Sequence, residues 1–250
     1  MVSISNLIMP NNKLCNVNSG ICTPIVADEK HVMQKKEEAI SRAKLIYFYD
    51  PLCGWCFGFS PVMSEIQDAY GDKLDIEVIS GGLFLDLRAG AVNTVAPHIK
   101  SGAYKSVELQ TRVMFGKPFL DNVFGDGTLV LNSLPPVIAL SIVREVYPEH
   151  ELKFASLLLE LVYVFGKDPT DTMELAVCAT KIGFDTAGFE TKMKDPKYEN
   201  AAREEFEAFK NHPYSAMPSV VLVHNGKEHL ISRGYMNFED LKNRLAPFLD

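Results

Sequence analysis

Ala43-Lys44-Leu45-Ile46-Tyr47-Phe48-Tyr49-Asp50-Pro51-Leu52-Cys53-Gly54-Trp55-Cys56 is the stretch whose reading decides the fold. The run from Leu45 to Tyr49 is apolar and aromatic, as a β-strand is, and Asp50-Pro51 breaks it. Phe57 to Tyr70 then reads as a helix. Two cysteines three residues apart at a helix start can close a small disulfide ring. The first also meets unpaired backbone N–H groups and the positive end of the helix dipole, which favour a thiolate. The thiolate is the reactive form in thiol–disulfide exchange. A C-x-x-C pair that follows a strand and opens a helix therefore reads as a redox motif.

Outward from this point, Leu74 to Ser80 alternates apolar and polar residues as a strand does, and Gly81-Gly82 ends it. Residues from roughly 86 to 210 carry no convincing strand. They carry helical patterns at Leu134–Tyr147, Glu151–Phe165 and Tyr198–Lys210, and Asp171-x-x-Glu174 resembles a capping box opening a further helix that ends near Gly183. Ser219–His224 and Lys227–Ser232 flank Asn225-Gly226, the favoured two-residue hairpin turn, and Phe238–Phe248 is an amphipathic helix. The order β-α-β, helical block, β-β-α describes one α/β sheet carrying an insertion. The expected division is 43–86 with 210–250 as the sheet domain and 87–209 as an inserted α-helical domain. Residues 1–42 are expected to be an N-terminal segment: a polar, mobile tail to about residue 30, then a short charged helix.

The chain has 250 residues, 47% of them hydrophobic and 23% charged, enough for a sizeable core. A net charge of −7 argues against a nucleic-acid or anionic-membrane partner. No apolar run reaches the roughly 18 residues of a membrane span. The first residues lack the basic region of a secretory signal, so a cytoplasmic location is expected, where C-x-x-C pairs cycle and structural disulfides are rare. Five cysteines, an odd number, also fit a stapled secreted scaffold poorly.

The order of elements, with C-x-x-C on the first helix and a proline opening the hairpin, resembles the thioredoxin fold with a helical insertion found in the DsbA family. Asp50-Pro51-Leu52-Cys53-Gly54-Trp55-Cys56-Phe57-Gly58-Phe59-Ser60-Pro61 resembles its FrnE-like cytosolic branch. Phe115-Gly116, Asn132-Ser133-x-Pro135, Phe165-Gly166-Lys167-Asp168, Gly183-Phe184-Asp185 and Met217-Pro218-Ser219 are similar to that branch too. The resemblance spans about residues 43–248. It implies a protein-disulfide oxidoreductase, a reductase or isomerase acting on protein or peptide disulfides, with Cys53 as nucleophile and Cys56 as resolving thiol. It also implies a cis Met217-Pro218 bond that presents residue 217 to substrate. DsbA-like enzymes of the cell envelope usually carry His before the second cysteine. Trp55 stands here instead, and a neutral indole cannot stabilise a thiolate as an imidazolium can. The pair is therefore expected to be less oxidising than the roughly −120 mV of DsbA.

Other residues read more plainly. A zinc knuckle needs four ligands, and the C-x6-C spacing of Cys15 and Cys22 is too long to complete one, so no metal is expected. Cys15 and Cys22 read as incidental thiols or as a regulatory pair. Cys178 lies on the stripe Leu175, Cys178, Ala179, Ile182 and reads as core. Trp55 reads as an exposed substrate contact, Asp50 as a turn residue before it is a proton acceptor, and Met114, Met173 and Met193 as core filling. Gly54 belongs to the motif without chemistry of its own. No nucleotide or flavin motif is present, so no cofactor is expected, and electrons would come from another thiol such as glutathione or thioredoxin. Two rivals remain. One is a glutathione-transferase-kappa-like enzyme, which does not need Cys56. The other is a non-catalytic adaptor that binds a client protein and needs neither thiol.

Overall fold

The computed structural model describes residues 6–9, 13–16, 22–24 and 42–249. They belong to two compact units, 1–41 and 42–250. In the first, β1 (Asn6–Met9), β2 (Lys13–Asn16) and β3 (Cys22–Pro24) form an antiparallel sheet in that order, with Cys15 and Cys22 as register partners. These three strands lie in the segment expected to be a polar, mobile tail. Each has only three or four residues, too few for a period-two pattern to stand out. The helix expected within 31–42 lies outside the described residues apart from Arg42, which is not helical.

The second unit is built on β4 (Ala43–Tyr49), α1 (Gly54–Tyr70) and β5 (Leu74–Ser80), closed by β8 (Ser219–His224), β9 (Lys227–Arg233) and α10 (Phe238–Leu249). The sheet order is β5-β4-β8-β9, with β4 parallel to β5 and the other pairs antiparallel. A parallel β4–β5 pair needs a crossover, and α1 supplies it. Strand β4 is central and covered on both faces, which explains its unbroken apolar run. Leu45, Tyr47 and Tyr49 enter the main core with α1, while Ile46 and Phe48 face Phe209 and Val221. At the β8–β9 turn Asn225 and Gly226 both take positive φ, 51° and 72°, as a type I′ turn requires. The Met217-Pro218 bond ahead of β8 is cis.

Between β5 and β8 the chain is mostly helical. The short pieces are β6 (Gly90–Ala91), α2 (Val92–Val95), α3 (Tyr104–Thr111), α4 (Lys117–Phe124) and β7 (Val130–Leu131). Longer helices follow: α5 (Leu134–Val146), α6 (Glu151–Tyr163), α7 (Thr172–Thr180), α8 (Thr186–Met193) and α9 (Pro196–Asn211). The β6–β7 pair is a small departure from the all-helical expectation. Helix α1 packs against α3, α6 and α10. Where α3 crosses it, Gly58 permits a close approach: a Cβ there would lie 2.6 Å from Thr111 Cγ2 and 2.8 Å from Val107 Cγ1. Cys178 is buried, as expected, but Met114 and Met173 are exposed rather than core filling. No helix among the described residues is long and apolar enough to cross a membrane.

One charged cluster joins the helical block to the sheet. Arg144 of α5 donates to Glu151 of α6, to Glu205 of α9 and to the Val78 carbonyl of β5 at 2.7 Å. Glu205 in turn accepts from the Ser80 amide. Both carboxylates are buried, and burial raises Glu151 to about 7 even beside Arg144. Removing one partner from such a cluster leaves buried charge uncompensated. Arg144→Met should therefore lower unfolding free energy at pH 8 by about 3–5 kcal/mol. The loss should shrink as pH falls toward the ordinary carboxylate range, about pH 4, because the stranded acids then fold protonated. Urea unfolding of both proteins at the two pH values checks this, and a loss equal at both would assign it to packing instead.

Candidate active site

Strand β4 ends at Tyr49, and the four residues to Cys53 form a turn in which the Cys53 amide donates to the Asp50 carbonyl at 3.1 Å. Helix α1 begins at Gly54, earlier than expected from the sequence, so Cys53 itself is its N-cap. The Cys56 amide donates to Cys53 Sγ at 3.3 Å. The nucleophile expected from the sequence thus accepts from one of the orphan donors of a helix N-terminus. Cys56 lies behind it with no exposed surface. Burial, then hydrogen bonding and charge from Cys53, push the Cys56 thiol well above the ordinary cysteine range. The third cysteine of this unit, Cys178, is raised to about 11 by burial and is separate from the pair. Among the described residues no group of three or more His, Cys, Asp or Glu could hold a metal ion.

Cys53 is only 6% exposed, yet it forms part of the wall of a cavity of about 590 Å³. Gly54, Trp55, Arg88, His98, Tyr104 and Phe115 contribute to the same wall, so the helical block supplies much of it. Trp55 is half-buried against the core rather than fully exposed. Tyr163, at the end of α6, also reaches this cavity and packs against Phe57, Phe115 and Phe119. Met217 does not share it. Met217 lines a neighbouring cleft with Gly81, Phe206 and Phe209, and Leu83, Leu87 and Arg88 border both spaces. Asp86 takes a left-handed conformation (φ 51°), and Leu87 after it is fully exposed on this shared border. Pro218 is buried, and its carbonyl accepts from the Gly234 amide at 2.7 Å.

Asp50 has a larger part than a turn residue. It is wholly buried, and its carboxylate accepts from the amides of Leu52 (2.9 Å) and Leu83 (2.8 Å) and from the Ser133 hydroxyl (3.0 Å). Ser133 Oγ accepts from the Phe84 amide at 3.0 Å, and the Ser133 amide donates to the Phe84 carbonyl at 2.8 Å. One carboxylate therefore ties the C-x-x-C loop to the segment after β5 and to the start of α5. Burial raises Asp50 to about 6, against the lowering effect of its hydrogen-bond donors, so it is ionised at neutral pH. The Asn132-Ser133 motif was the one sequence signal for this partner. Nothing local pointed to Leu83, Arg88 or Tyr163.

The chain is similar to known proteins over most of its length. It is 22% identical, with a TM-score of 0.73, to a putative protein disulfide isomerase from Nitrosomonas europaea, across 84% of this chain and 98% of the other. Against the cytosolic disulfide reductase DsbM from Pseudomonas aeruginosa, also solved with GSH, identity is 24% and the TM-score 0.67, covering 82% and 97% of the two chains. It is also 23% identical to the ClpXP adapter protein SpxH of Halalkalibacterium halodurans over 223 residues, 86% of this chain and 68% of that protein. The family model described as a DSBA-like thioredoxin domain matches residues 44–246. The chain therefore belongs to the DsbA-like thioredoxin family.

Proposed function

We propose that this protein is a thiol–disulfide oxidoreductase of the FrnE-like branch, a cytoplasmic reductase or isomerase of protein or peptide disulfides. The observation that carries the reading is Cys53 capping α1 on the wall of a cavity, with Cys56 buried directly behind it. In the first step the Cys53 thiolate attacks a substrate disulfide. A Cys53–substrate disulfide forms, and the other substrate sulfur leaves with the electron pair. In the second, Cys56 gives its proton to the Asp50 carboxylate and attacks Cys53 Sγ. The Cys53–substrate bond breaks, the substrate thiolate leaves reduced and takes up a proton, and the Cys53–Cys56 disulfide remains. During isomerisation a second substrate thiol performs that step instead. No resident cofactor is needed, and a small thiol of the kind found with the Pseudomonas aeruginosa reductase, or thioredoxin, would return the electrons. Trp55 and Met217, on adjoining spaces, would contact the substrate.

A second reading is favoured by one finding, the similarity to an adapter protein. Exposed Phe165, Met173 and Val177 offer apolar surface for client binding and are not among the residues that line the Cys53 cavity. An adaptor would keep its function with Cys53 and Cys56 both replaced, whereas an oxidoreductase would lose it.

Two measurements follow from the geometry. Among Cys53, Cys56 and Cys178, limiting iodoacetamide on the reduced protein should label Cys53 first, as read by peptide mass mapping. Cys56 and Cys178 have little surface and raised thiol pKa values, so prior labelling of either would contradict the assigned order of attack. Cys56→Ser should accumulate mixed disulfides with client proteins in cells, visible on non-reducing gels and lost on adding dithiothreitol. Cys53→Ser should accumulate none. Equal trapping by both variants would remove the nucleophile and resolver roles.

A further inference from the structure

The turn Asp86–Arg88 stands between the two spaces that adjoin the dithiol site. Leu87 at its tip is the most exposed large apolar residue among those described, at 102% against 69% for Leu109, the next. Leu83, Leu87 and Arg88 line both the cavity that reaches Cys53 and the cleft that reaches Met217, spaces of about 590 and 620 Å³. The turn is pinned at several points. The Leu83 amide donates to the buried Asp50 carboxylate at 2.8 Å, and the Arg88 guanidinium donates to the Gly82 carbonyl at 3.0 Å. The Arg88 amide donates to the Leu85 carbonyl at 2.9 Å. Asp86 is held at φ 51°, a left-handed conformation that persists only where its surroundings fix it, and that recurs where a chain grips a ligand. A leucine exposed alone needs no explanation. One on a pinned turn, where two apolar spaces meet beside a nucleophile, does.

We infer that Leu87 is a specificity-determining residue of the dithiol site, selecting disulfides carried on extended polypeptide segments with an apolar side chain beside the reacting cystine. The inference rests on the dithiol reading above and names the substrate class of that site. Cys53 lines the cavity and not the cleft, so the reacting sulfur enters through the cavity. A small disulfide would fill that space alone. An extended polypeptide advances about 3.3 Å per residue, with side chains alternating between opposite sides. With its cystine at Cys53, the neighbouring residues of such a segment cross the border formed by Leu83 and Leu87 toward Met217. An apolar side chain of the segment then lies against Leu87. Trp55 and Ile99 continue the apolar surface on the cavity side, and Phe206 and Phe209 on the cleft side. Leu87 is fully solvated in the free protein, so the contact gains all the apolar area it covers. The disulfide is common to every substrate, so discrimination has to come from the residues that flank it.

Two short peptides, each closed by one disulfide and differing only in whether Leu or Ser flanks the cystine, test this. The full-length protein, reduced and freed of reductant, is mixed with each peptide, and acid-quenched samples are separated to follow the reduced peptide. Each rate is divided by that with dithiothreitol, which removes any difference between the disulfides themselves. The parent should reduce the Leu-flanked peptide about tenfold faster, the worth of one apolar side-chain contact. Leu87→Ser should bring this ratio to within about twofold of one, and Leu87→Met, which keeps an apolar side chain, should preserve it. Any effect of the substitution on Cys53 acts on both peptides and cancels in the ratio. Leu87 is fully exposed, so neither substitution removes core. A parent ratio near one, a preference kept by Leu87→Ser, or one lost equally in Leu87→Met would overturn the inference. If the parent reduces neither peptide, the dithiol reading itself fails, and this inference with it.

Discussion

The Asp50 carboxylate is the constraint on which the site depends. It is charged at neutral pH, out of contact with water, and compensated only by donors from three separate parts of the chain. Burying such a group is costly unless every lone pair is used, so the turn before Cys53, the segment after β5 and the start of α5 must arrive together. That requirement fixes where α1 begins and hence which atoms meet Cys53. The raised Asp50 pKa is the residue of the desolvation cost that the hydrogen bonds do not offset. A group so placed ties three segments together, and in the mechanism proposed above it is also the base.

The helical block does more than cover the sheet. Val107, Phe115 and Tyr163 all reach the cavity beside Cys53. Gly58 lets α3 lie close on the active-site helix, and Arg144 pins α5, α6 and α9 to β5 through buried carboxylates. Cys53 therefore borders a pocket built from both parts of the fold. Much of the wall beside Cys53 comes from residues remote in sequence from the C-x-x-C motif.

Much of this architecture was legible in the sequence because the relevant signals are local. The apolar run of β4, the Asn225-Gly226 turn and the Asp171 cap each specify their own geometry within a few residues. Helices α3, α4 and α8 were not read. They are eight residues each and bury one or two side chains apiece, so their periodicity is too brief to stand out. The thiols were legible as a motif, and Met217-Pro218 through resemblance alone. Asp50 looked like a turn residue because its partner Ser133 lies 83 residues away and Leu83 lies 33 away.

The proposed activity requires Cys53 and Cys56 to form a reversible redox pair of reducing or isomerising character. Equilibration of the protein against glutathione buffers, followed by the fluorescence of Trp55, measures this directly. A single two-electron transition at roughly −270 to −180 mV, between thioredoxin and protein disulfide isomerase, is the predicted result. A value near −120 mV would make the protein an oxidant, and no transition at all would leave the thiols without a redox role.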